Sequence, residues 1–273
     1  MELPPNLRLI SSKDGSLNAF NARFGEYYAN MGEGAFSEKL GKHIAPVWAT
    51  LESTFTTKAK PPKEAPKAQI WILDLCFGLG YNALLSRLFS AFEALEFCVI
   101  SIELDRQSLA LASTIHALDS SLVAQLDSSR QARIAHNVSL QIFWGDACIL
   151  LADLSASLAQ YYGDFMGFDV IYQDPFSYEK CPSLWDYKHF CKLSSLLKDS
   201  GIITTYATRQ EIITNATQAG LHAYTYKADP ATMDRLYQAC ATLYPTSTHT
   251  SIKRKSSIFS KAPVQILGSR LRA

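Results

Sequence analysis

The sequence predicts an α/β protein with a doubly wound, mostly parallel sheet, and three observations support this fold class. Apolar runs alternate with segments of helical apolar spacing from residue 69 to residue 219. Residues 72–82 (ILDLCFGLGYN) join an apolar strand, two glycines and the start of a helical pattern. Three successive predicted strands end in a carboxylate, at the edge where open α/β sheets bind ligands.

Strands are predicted from short apolar and β-branched runs, and helices from apolar residues spaced three and four apart. The predicted strands are 69–75, 96–103, 138–144, 168–173, 201–206 and 221–227, with an antiparallel strand at 256–261. The predicted helices are 81–92, 106–117, 147–159, 185–197 and 208–219, with a further helical insertion at 119–137.

Residues 1–55 precede this pattern and are predicted to form a small appendage that covers the pocket. Short strands at 7–10 and 17–20 flank a Lys-Asp-Gly-Ser turn, and a helical pattern that Pro46 kinks or ends begins at Glu33. Residues 56–67 are rich in Pro and Lys and read as an exposed linker, which leaves 68–273 as the main domain.

Composition excludes several classes of protein. No run approaches the roughly 18 apolar residues of a membrane span, and the first residues lack the pattern of a signal peptide. The six cysteines are scattered, and none forms a C-x-x-C pair. We therefore expect a cytoplasmic chain without membrane segments, disulfides or a metal site.

The glycine motif predicts a nucleotide-type cofactor. Gly78 and Gly80 lie between a strand and a helix, where a ligand can approach bare backbone. Together with Ala83 they also satisfy the dinucleotide-binding fingerprint, so the motif alone does not separate cofactor classes.

The carboxylates at the strand ends favour one class of nucleotide-type cofactor over the other. Glu103 is placed to accept hydrogen bonds from ribose hydroxyls, and Asp146, after Gly145, from an adenine amine. Asp174 follows the next strand and precedes Pro175. A dehydrogenase needs the first carboxylate, whereas a methyltransferase that uses S-adenosylmethionine on an amine would use all three. Asp146 and Glu103 each have an alternative role as the N-cap of the next helix, and Asp174 has one as a solvated loop residue.

Methylation of an amine requires a free lone pair on nitrogen. A carboxylate such as Asp174 can accept an N–H bond, orient that lone pair and stabilise the positive charge that forms, which makes it the candidate catalytic residue. Phe176, Tyr178 and Trp185 follow in the same loop and could stack on a flipped base, although such aromatics often belong to the core.

At this point the sequence resembles the methyltransferase module of the MnmC tRNA-modification enzymes. Residues 12–40 are similar to the family's Asp-Gly-Ser turn, its Asp/Glu-x-Tyr segment and the Gly-Ala and Glu that open its helix. LDLCFGLGYN is similar to Glu-x-Gly-Phe-Gly-x-Gly-x-Asn, with Asp74 in place of Glu and Cys76 in place of the first Gly. QDPFSYEKCPSLW resembles Asp-Gly-Phe-x-Pro-x-x-x-Pro-x-x-Trp, and KRKSSIF resembles the family's closing Lys-Arg-Glu strand.

The resemblance implies a Rossmann-like methyltransferase fold, S-adenosylmethionine as cofactor, and a 5-aminomethyl group on the wobble (2-thio)uridine of tRNA as acceptor. It implies cofactor contacts from Asp74, Phe77, Gly78, Gly80, Asn82, Glu103, Gly145 and Asp146. It implies substrate contacts from Tyr28, Phe176, Tyr178, Trp185, Lys253 and Arg254. In MnmC the methyltransferase is fused to a flavin-dependent oxidase; no second glycine motif is present, so we expect a stand-alone module whose substrate comes from a separate oxidase.

Charge distribution is compatible with an RNA partner. The chain has a net charge of +1, but residues 251–273 contain six basic residues and no acidic one, and residues 56–67 contain four lysines and one glutamate. These segments fit a polyanionic partner such as RNA, for which the resemblance implies the anticodon region of a tRNA, or they are merely a solvated tail and linker. Three alternatives remain open: methylation of a protein or small-molecule amine, a nucleotide-dependent oxidoreductase, and a binding-only relative.

Overall fold

The structure is a computed structural model that describes residues 7–55, 67–243 and 264–269. The strands are β1 (Leu7–Ser11), β2 (Leu17–Asn21), β3 (Glu26–Tyr27), β4 (Ala68–Leu75), β5 (Leu95–Glu103), β6 (Ala132–Ala135), β7 (Val138–Trp144), β8 (Phe168–Gln173), β9 (Leu197–Thr205), β10 (Leu221–Tyr226) and β11 (Val264–Ser269). The α-helices are α1 (Ala35–Lys39), α2 (Ala45–Phe55), α3 (Tyr81–Leu85), α4 (Gln107–His116), α5 (Ser120–Asp127), α6 (Ala147–Tyr162), α7 (Tyr187–Leu196), α8 (Gln210–Gln218) and α9 (Pro230–Leu243).

An eight-stranded sheet forms the centre of the molecule, in the order β10-β11-β9-β8-β4-β5-β7-β6. The five central strands, β9, β8, β4, β5 and β7, are parallel, and β11 pairs antiparallel with both β9 and β10. The strand order runs outwards in both directions from the neighbours β4 and β8, which places a topological switch point between them. The predicted doubly wound fold with an antiparallel C-terminal strand is confirmed.

Both faces of the sheet are covered, which explains why β4 reads as an unbroken apolar run. Ile70 and Ile72 belong to the hydrophobic cluster on one face. Trp71 and Leu73 belong to the cluster on the other face. A strand of this kind fixes the position of its C-terminal end within a rigid core, and that end leads into the glycine motif.

The N-terminal residues form a separate three-stranded sheet, β1-β2-β3, whose first turn caps the following helix. Asp14 accepts the N–H of Ser37 at 2.9 Å, and the hydroxyls of Ser12 and Ser16 accept the N–H groups of Ala35 and Phe36. Gly34 makes this possible, because a Cβ there would lie 2.0 Å from Cγ of Asp14. The turn therefore fixes the start of α1.

Helices α1 and α2 are joined by a π-helical turn, Leu40–Ile44, so that one continuous helix runs from residue 35 to residue 55. Pro46 lies directly after this turn and cannot donate to the carbonyl four residues earlier, so the predicted irregularity occurs just before the proline. Phe36, Leu40 and Ile44 join the same hydrophobic cluster as Ile72. The helix is thus integral to the main core, which Ala19 of the small sheet also joins.

Two regions differ from the prediction, and two more lie outside the described residues. The insertion 119–137 contains α5 but then the edge strand β6, whose four residues are too short for their alternation to be recognised. Helix α9 was not predicted, although Met233, Leu236 and Cys240 are buried at helical spacing. The predicted strand 256–261 and nearly all of the predicted linker lie outside the described residues. Among the described helices, none has the length and apolarity needed to cross a membrane.

Candidate active site

A cavity of about 650 Å³ lies at the C-terminal ends of the parallel strands. Its floor is formed by the residues that follow β4, β5, β7 and β8, and its other wall by the N-terminal sheet and α1. The position is the switch point of the sheet, and the size is within the roughly 300 to 1,000 Å³ typical of small-molecule sites.

The glycine loop of residues 76–80 forms part of this floor. The N–H groups of Cys76 and Phe77 both donate to the carbonyl of Ile102, at 3.0 and 3.1 Å, which docks the loop against β5. Gly78 has a φ of 53° and packs so closely that a Cβ would lie 3.1 Å from Cδ1 of Tyr28. Cys76 also adopts a left-handed conformation, with a φ of 69°, which costs a non-glycine residue about 1 to 2 kcal/mol.

Glu103 is buried on the cavity wall at the tip of β5. Its Oε2 accepts the N–H of Gly78 and its Oε1 accepts the N–H of Asp105, both at 2.8 Å. Burial raises the pKa of Glu103, and these backbone bonds oppose the increase. Because each carboxylate oxygen can accept a second bond, the fixed carboxylate can still receive two hydroxyl donors.

Asp146 has both of the roles considered for it, because it caps a helix and also lines the cavity. Its Oδ1 accepts the N–H of Cys148 at 2.7 Å at the start of α6. Gly145 and Asp146 both line the cavity next to the end of β7. The capping bond orients the carboxylate, so the structural role does not exclude a ligand contact.

Asp74 and Gly80 do not line the cavity, which corrects the expectation of direct cofactor contacts from them. Asp74 is fully buried within β4, where its Oδ2 accepts the hydroxyl of Ser101 at 2.8 Å. Burial raises the pKa of Asp74 to about 7. Gly80 begins α3, and its N–H donates to the carbonyl of Phe77 at 2.8 Å. Both residues support the loop from below.

Asp174 lies at the cavity wall directly after β8 and is held by three side chains. Asn82 donates its Nδ2 to Oδ2 at 2.8 Å, and Nζ of Lys39 lies 2.8 Å from each carboxylate oxygen. Nε2 of His43 lies 3.5 Å from Oδ1. Burial alone would raise the pKa of Asp174, but Lys39 and His43 outweigh burial and hold it well below its usual range. The group is therefore a carboxylate.

Lys39 belongs to a buried chain of alternating charges on the N-terminal helix. Its Nζ lies 3.4 Å from Oε2 of Glu38, whose other oxygen pairs with Lys42 at 3.1 Å, and Lys42 reaches Glu33 at 2.8 Å. Burial alone would lower the pKa of Lys39, but Asp174 and Glu38 raise it above its usual value.

This charged cluster was not predicted from the sequence. The available signal is the spacing of Lys39, Lys42 and His43, which interrupts the apolar side of the helix at three- and four-residue intervals.

Aromatic rings form a further wall of the cavity. Phe24 stacks on Phe176 with ring centroids 4.8 Å apart, and Tyr28 lies against Phe176 at 5.0 Å. Glu26 ties this wall to the loop after β8, because it accepts both the N–H and the hydroxyl of Ser177. Tyr28 and Phe176 line the cavity where they were expected, whereas Phe24 was not predicted.

Two of the predicted substrate contacts, Trp185 and Tyr178, do not line the cavity. Trp185 is completely buried, and its indole N–H donates to the carbonyl of Phe176 at 2.8 Å, so it supports the loop from behind. Tyr178 lies outside the cavity, where its hydroxyl donates to Glu211 at 2.7 Å and Arg209 lies over its ring. Lys253 and Arg254 lie outside the described residues. Within the described ranges, no cluster of three or more His, Cys, Asp or Glu residues could hold a metal.

Comparison with known proteins supports the interpretation of this site. Residues 110–230 match a family described as S-adenosyl-L-methionine-dependent methyltransferase. MnmC2 from Aquifex aeolicus superimposes with a TM-score of 0.62 at 16% identity, over 98% of this chain and 71% of that one. Comparison with curated proteins gave no match.

Other solved methyltransferases are more distant. A TehB-like S-adenosylmethionine-dependent methyltransferase from Corynebacterium glutamicum has a TM-score of 0.35 at 12% identity, over 83% of this chain and 96% of that one. Phosphoethanolamine N-methyltransferase 1 from Haemonchus contortus, solved with phosphoethanolamine and S-adenosylhomocysteine, has a TM-score of 0.35 at 10% identity, over 82% and 43%. The match to the MnmC2 structure shows the fold, and with the family match it confirms the predicted enzyme class and cofactor.

Proposed function

Because the chain is an S-adenosylmethionine-dependent methyltransferase, we propose that it methylates the 5-aminomethyl group of a tRNA wobble uridine. The observation that supports an amine acceptor is the buried carboxylate of Asp174, held ionised on the cavity wall by Lys39 and Asn82. The resemblance of the sequence motifs to MnmC supports the tRNA uridine as the molecule that bears this amine.

We propose that the cofactor lies across the strand tips. Its methionine end lies near Phe77 and Gly78, its ribose at Glu103 and its adenine at Gly145 and Asp146. The fit rests on Glu103, an acceptor fixed by two backbone N–H groups at 2.8 Å, which suits a ligand that presents two hydroxyl donors. When bound, the cofactor supplies an electrophilic methyl group on a sulfonium sulfur.

Asp174 acts on the acceptor amine through its charge. A neutral amine donates an N–H bond to the carboxylate, which turns the nitrogen lone pair away from Asp174 and towards the centre of the cavity. As the nitrogen gains positive charge, the carboxylate stabilises it. Since the pKa of Asp174 lies well below its usual range, the carboxylate does not keep the proton, which passes to solvent.

The aromatic wall is proposed to receive the base that bears the amine. Enzymes that modify a nucleobase take it out of its stack and hold it between aromatic side chains. Phe24, Tyr28 and Phe176 line the cavity and offer ring faces for this purpose. A cytoplasmic location and a separate oxidase that supplies the aminomethyl group stay predictions.

The direct test uses tRNA from a strain that lacks this methylation. Purified protein and S-adenosylmethionine should convert the 5-aminomethyl nucleoside to its methylamino form, as read by nucleoside mass spectrometry. Protein that binds the cofactor but leaves this tRNA unchanged would exclude the tRNA uridine and favour another amine. The family match already argues against the oxidoreductase alternative.

The basic C-terminal segment has its own test. Neutralising Lys253, Arg254 and Lys255 should weaken tRNA binding and flatten its salt dependence, because each lost phosphate contact reduces counterion release. Affinity for S-adenosylmethionine should not change. A loss of thermal stability with an unchanged salt slope would instead assign these residues to bracing the sheet.

A further inference from the structure

We propose that Lys39 is a positioning residue for methyl transfer, which holds Asp174 as an oriented carboxylate at the acceptor end of the cavity. The inference rests on the proposed amine acceptor, and it names a residue whose partner in the ion pair lies 135 positions away in the sequence.

The first argument is the burial of Lys39. Only 5% of the residue is exposed, and a lysine this deeply buried is rare because removing an ammonium from water is expensive. A buried ion pair can often be replaced by apolar side chains of similar volume without loss of stability. Folding of the helix therefore does not by itself require a cation at this position.

The second argument is what Asp174 would be without Lys39. His43 from the π-helical turn and Asn82 from α3 are the other side chains that contact it. Among its other titratable neighbours, Glu38 of α1 is a carboxylate and repels the negative charge of Asp174. Burial, together with the charge of Asp174, raises the pKa of three more, Asp74 of β4, Cys76 of the glycine loop and Tyr206 after β9, which therefore stay largely neutral. Burial and Glu38 favour a protonated Asp174, and Lys39, 2.8 Å from both carboxylate oxygens, opposes them more strongly than His43 at 3.5 Å.

The charge state matters for the acceptor. A carboxylate presents acceptor sites only, whereas a protonated carboxyl donates one hydrogen and loses the negative charge that stabilises the forming ammonium. A protonated Asp174 would therefore hold the amine less well and give it no electrostatic help.

The third argument is orientation. A carboxylate offers about four acceptor sites, and the hydrogen bonds from Lys39 and Asn82, with the second contact of Lys39, occupy three. The fourth site lies on Oδ1, which Nε2 of His43 approaches only to 3.5 Å, and it is the site we assign to the N–H of an acceptor amine. Because Lys39 reaches both oxygens, rotation of the carboxylate would break a contact on one side, and the remaining acceptor site keeps its direction.

The test compares the pH dependence of kcat/KM for the wild type, Lys39→Met and Lys39→Arg. In Lys39→Met the rate should fall about tenfold for each pH unit by which the pKa of Asp174 exceeds the assay pH, so the acid limb moves to higher pH. Lys39→Arg keeps the charge and should restore the position of the limb. Lys42→Met is the matched control, since it removes a neighbouring buried ammonium that pairs with Glu33 and Glu38. The acid limb of the Lys42→Met profile should stay at the same pH as in the wild type.

A second readout does not depend on the acceptor. The ¹³C carboxyl signal of Asp174, assigned by its loss in Asp174→Asn, should titrate at higher pH in Lys39→Met than in the wild type. Absence of tRNA methylation by the wild type would contradict the proposed acceptor alone, while this titration still tests Lys39. A Lys39→Met protein with an unchanged Asp174 titration, or with a rate lowered equally at every pH, would overturn the inference. Lys39→Gln serves as a polar alternative if Lys39→Met does not fold.

Discussion

Replacing Asp174 by Asn keeps the shape of the side chain but removes its negative charge, which pairs with Lys39 and accepts a hydrogen bond from Asn82. The acceptor amine loses the carboxylate that stabilises its developing positive charge, and we expect single-turnover methyl transfer to fall by roughly 10²-fold or more. The affinity for S-adenosylmethionine should stay within a few-fold, because Glu103 and Asp146 lie at other strand tips.

The same substitution should also cost stability, since Lys39 stays buried. Removing one partner of a buried ion pair costs about 3 to 5 kcal/mol. Glu38, 3.4 Å from Nζ of Lys39, retains part of the compensation, so we expect a loss of about 3 kcal/mol. In a protein of this size that corresponds to a fall in Tm of roughly 6 to 12 °C.

The assay combines single-turnover transfer well below Tm with calorimetric binding of the cofactor and thermal unfolding. The double variant Asp174→Asn/Lys39→Met is the control, since it removes the unpaired ammonium and should recover stability without recovering turnover. The pH profile of the rate separates two roles of Asp174. If Asp174 only stabilises charge, the acid limb of the Asp174→Asn profile does not move to higher pH. If Asp174 accepts the proton, its loss moves that limb to higher pH. Near-wild-type turnover in folded Asp174→Asn would refute the reasoning.

Three further predictions concern the cofactor site and its support. Glu103→Ala and Asp146→Ala should weaken S-adenosylmethionine binding, by about 1 to 3 kcal/mol for each charged hydrogen bond lost, as measured by calorimetry; unchanged affinity in both would reject the placement. Cys76→Gly should stabilise the protein by up to about 1 kcal/mol, because glycine relieves the left-handed conformation at a φ of 69°; Cys76→Ala keeps that strain, and equal Tm values for the two variants would contradict this explanation. Burial raises the pKa of Asp74 to about 7, so the folded state holds a proton that the unfolded state has released between about pH 4 and pH 7. Stability should therefore fall as pH rises through this window, by up to about 4 kcal/mol; denaturant unfolding at pH 5 and pH 8 should show the slope in the wild type and not in Asp74→Asn.

The strand tips could be predicted from the sequence because they depend on local pattern. Glu103, Asp146 and Asp174 each end an apolar run, and parallel strands bring such ends to one edge of the sheet. The direction of a side chain within a loop has no such signal. Trp185 and Phe176 were predicted as equivalent candidates, yet one is buried behind the loop and the other faces the cavity.

The ion pair of Lys39 and Asp174 shows that the hydrophobic pattern of the sequence does not identify which buried charges pair. Helical spacing places Lys39 on the buried side of a helix, but nothing local identifies its partner, which lies 135 positions later. The hydrophobic pattern determines which elements pack together, whereas a pairing of two charges depends on the exact register of that packing. The sequence therefore offers an aspartate at a strand end and a lysine on an apolar helix face, without a signal that the two residues form an ion pair.

The distance between these two residues along the chain also has a consequence for the order of folding. During synthesis the N-terminal helix emerges first, with Lys39 on the side that will later be buried, and its counter-ion follows only when β8 has been made. Until then, burial of the ammonium would be opposed, so the helix should remain undocked while the central strands assemble. The last step of folding would then be the one that completes the cavity, and a chain released before residue 174 should expose this helix to proteolysis.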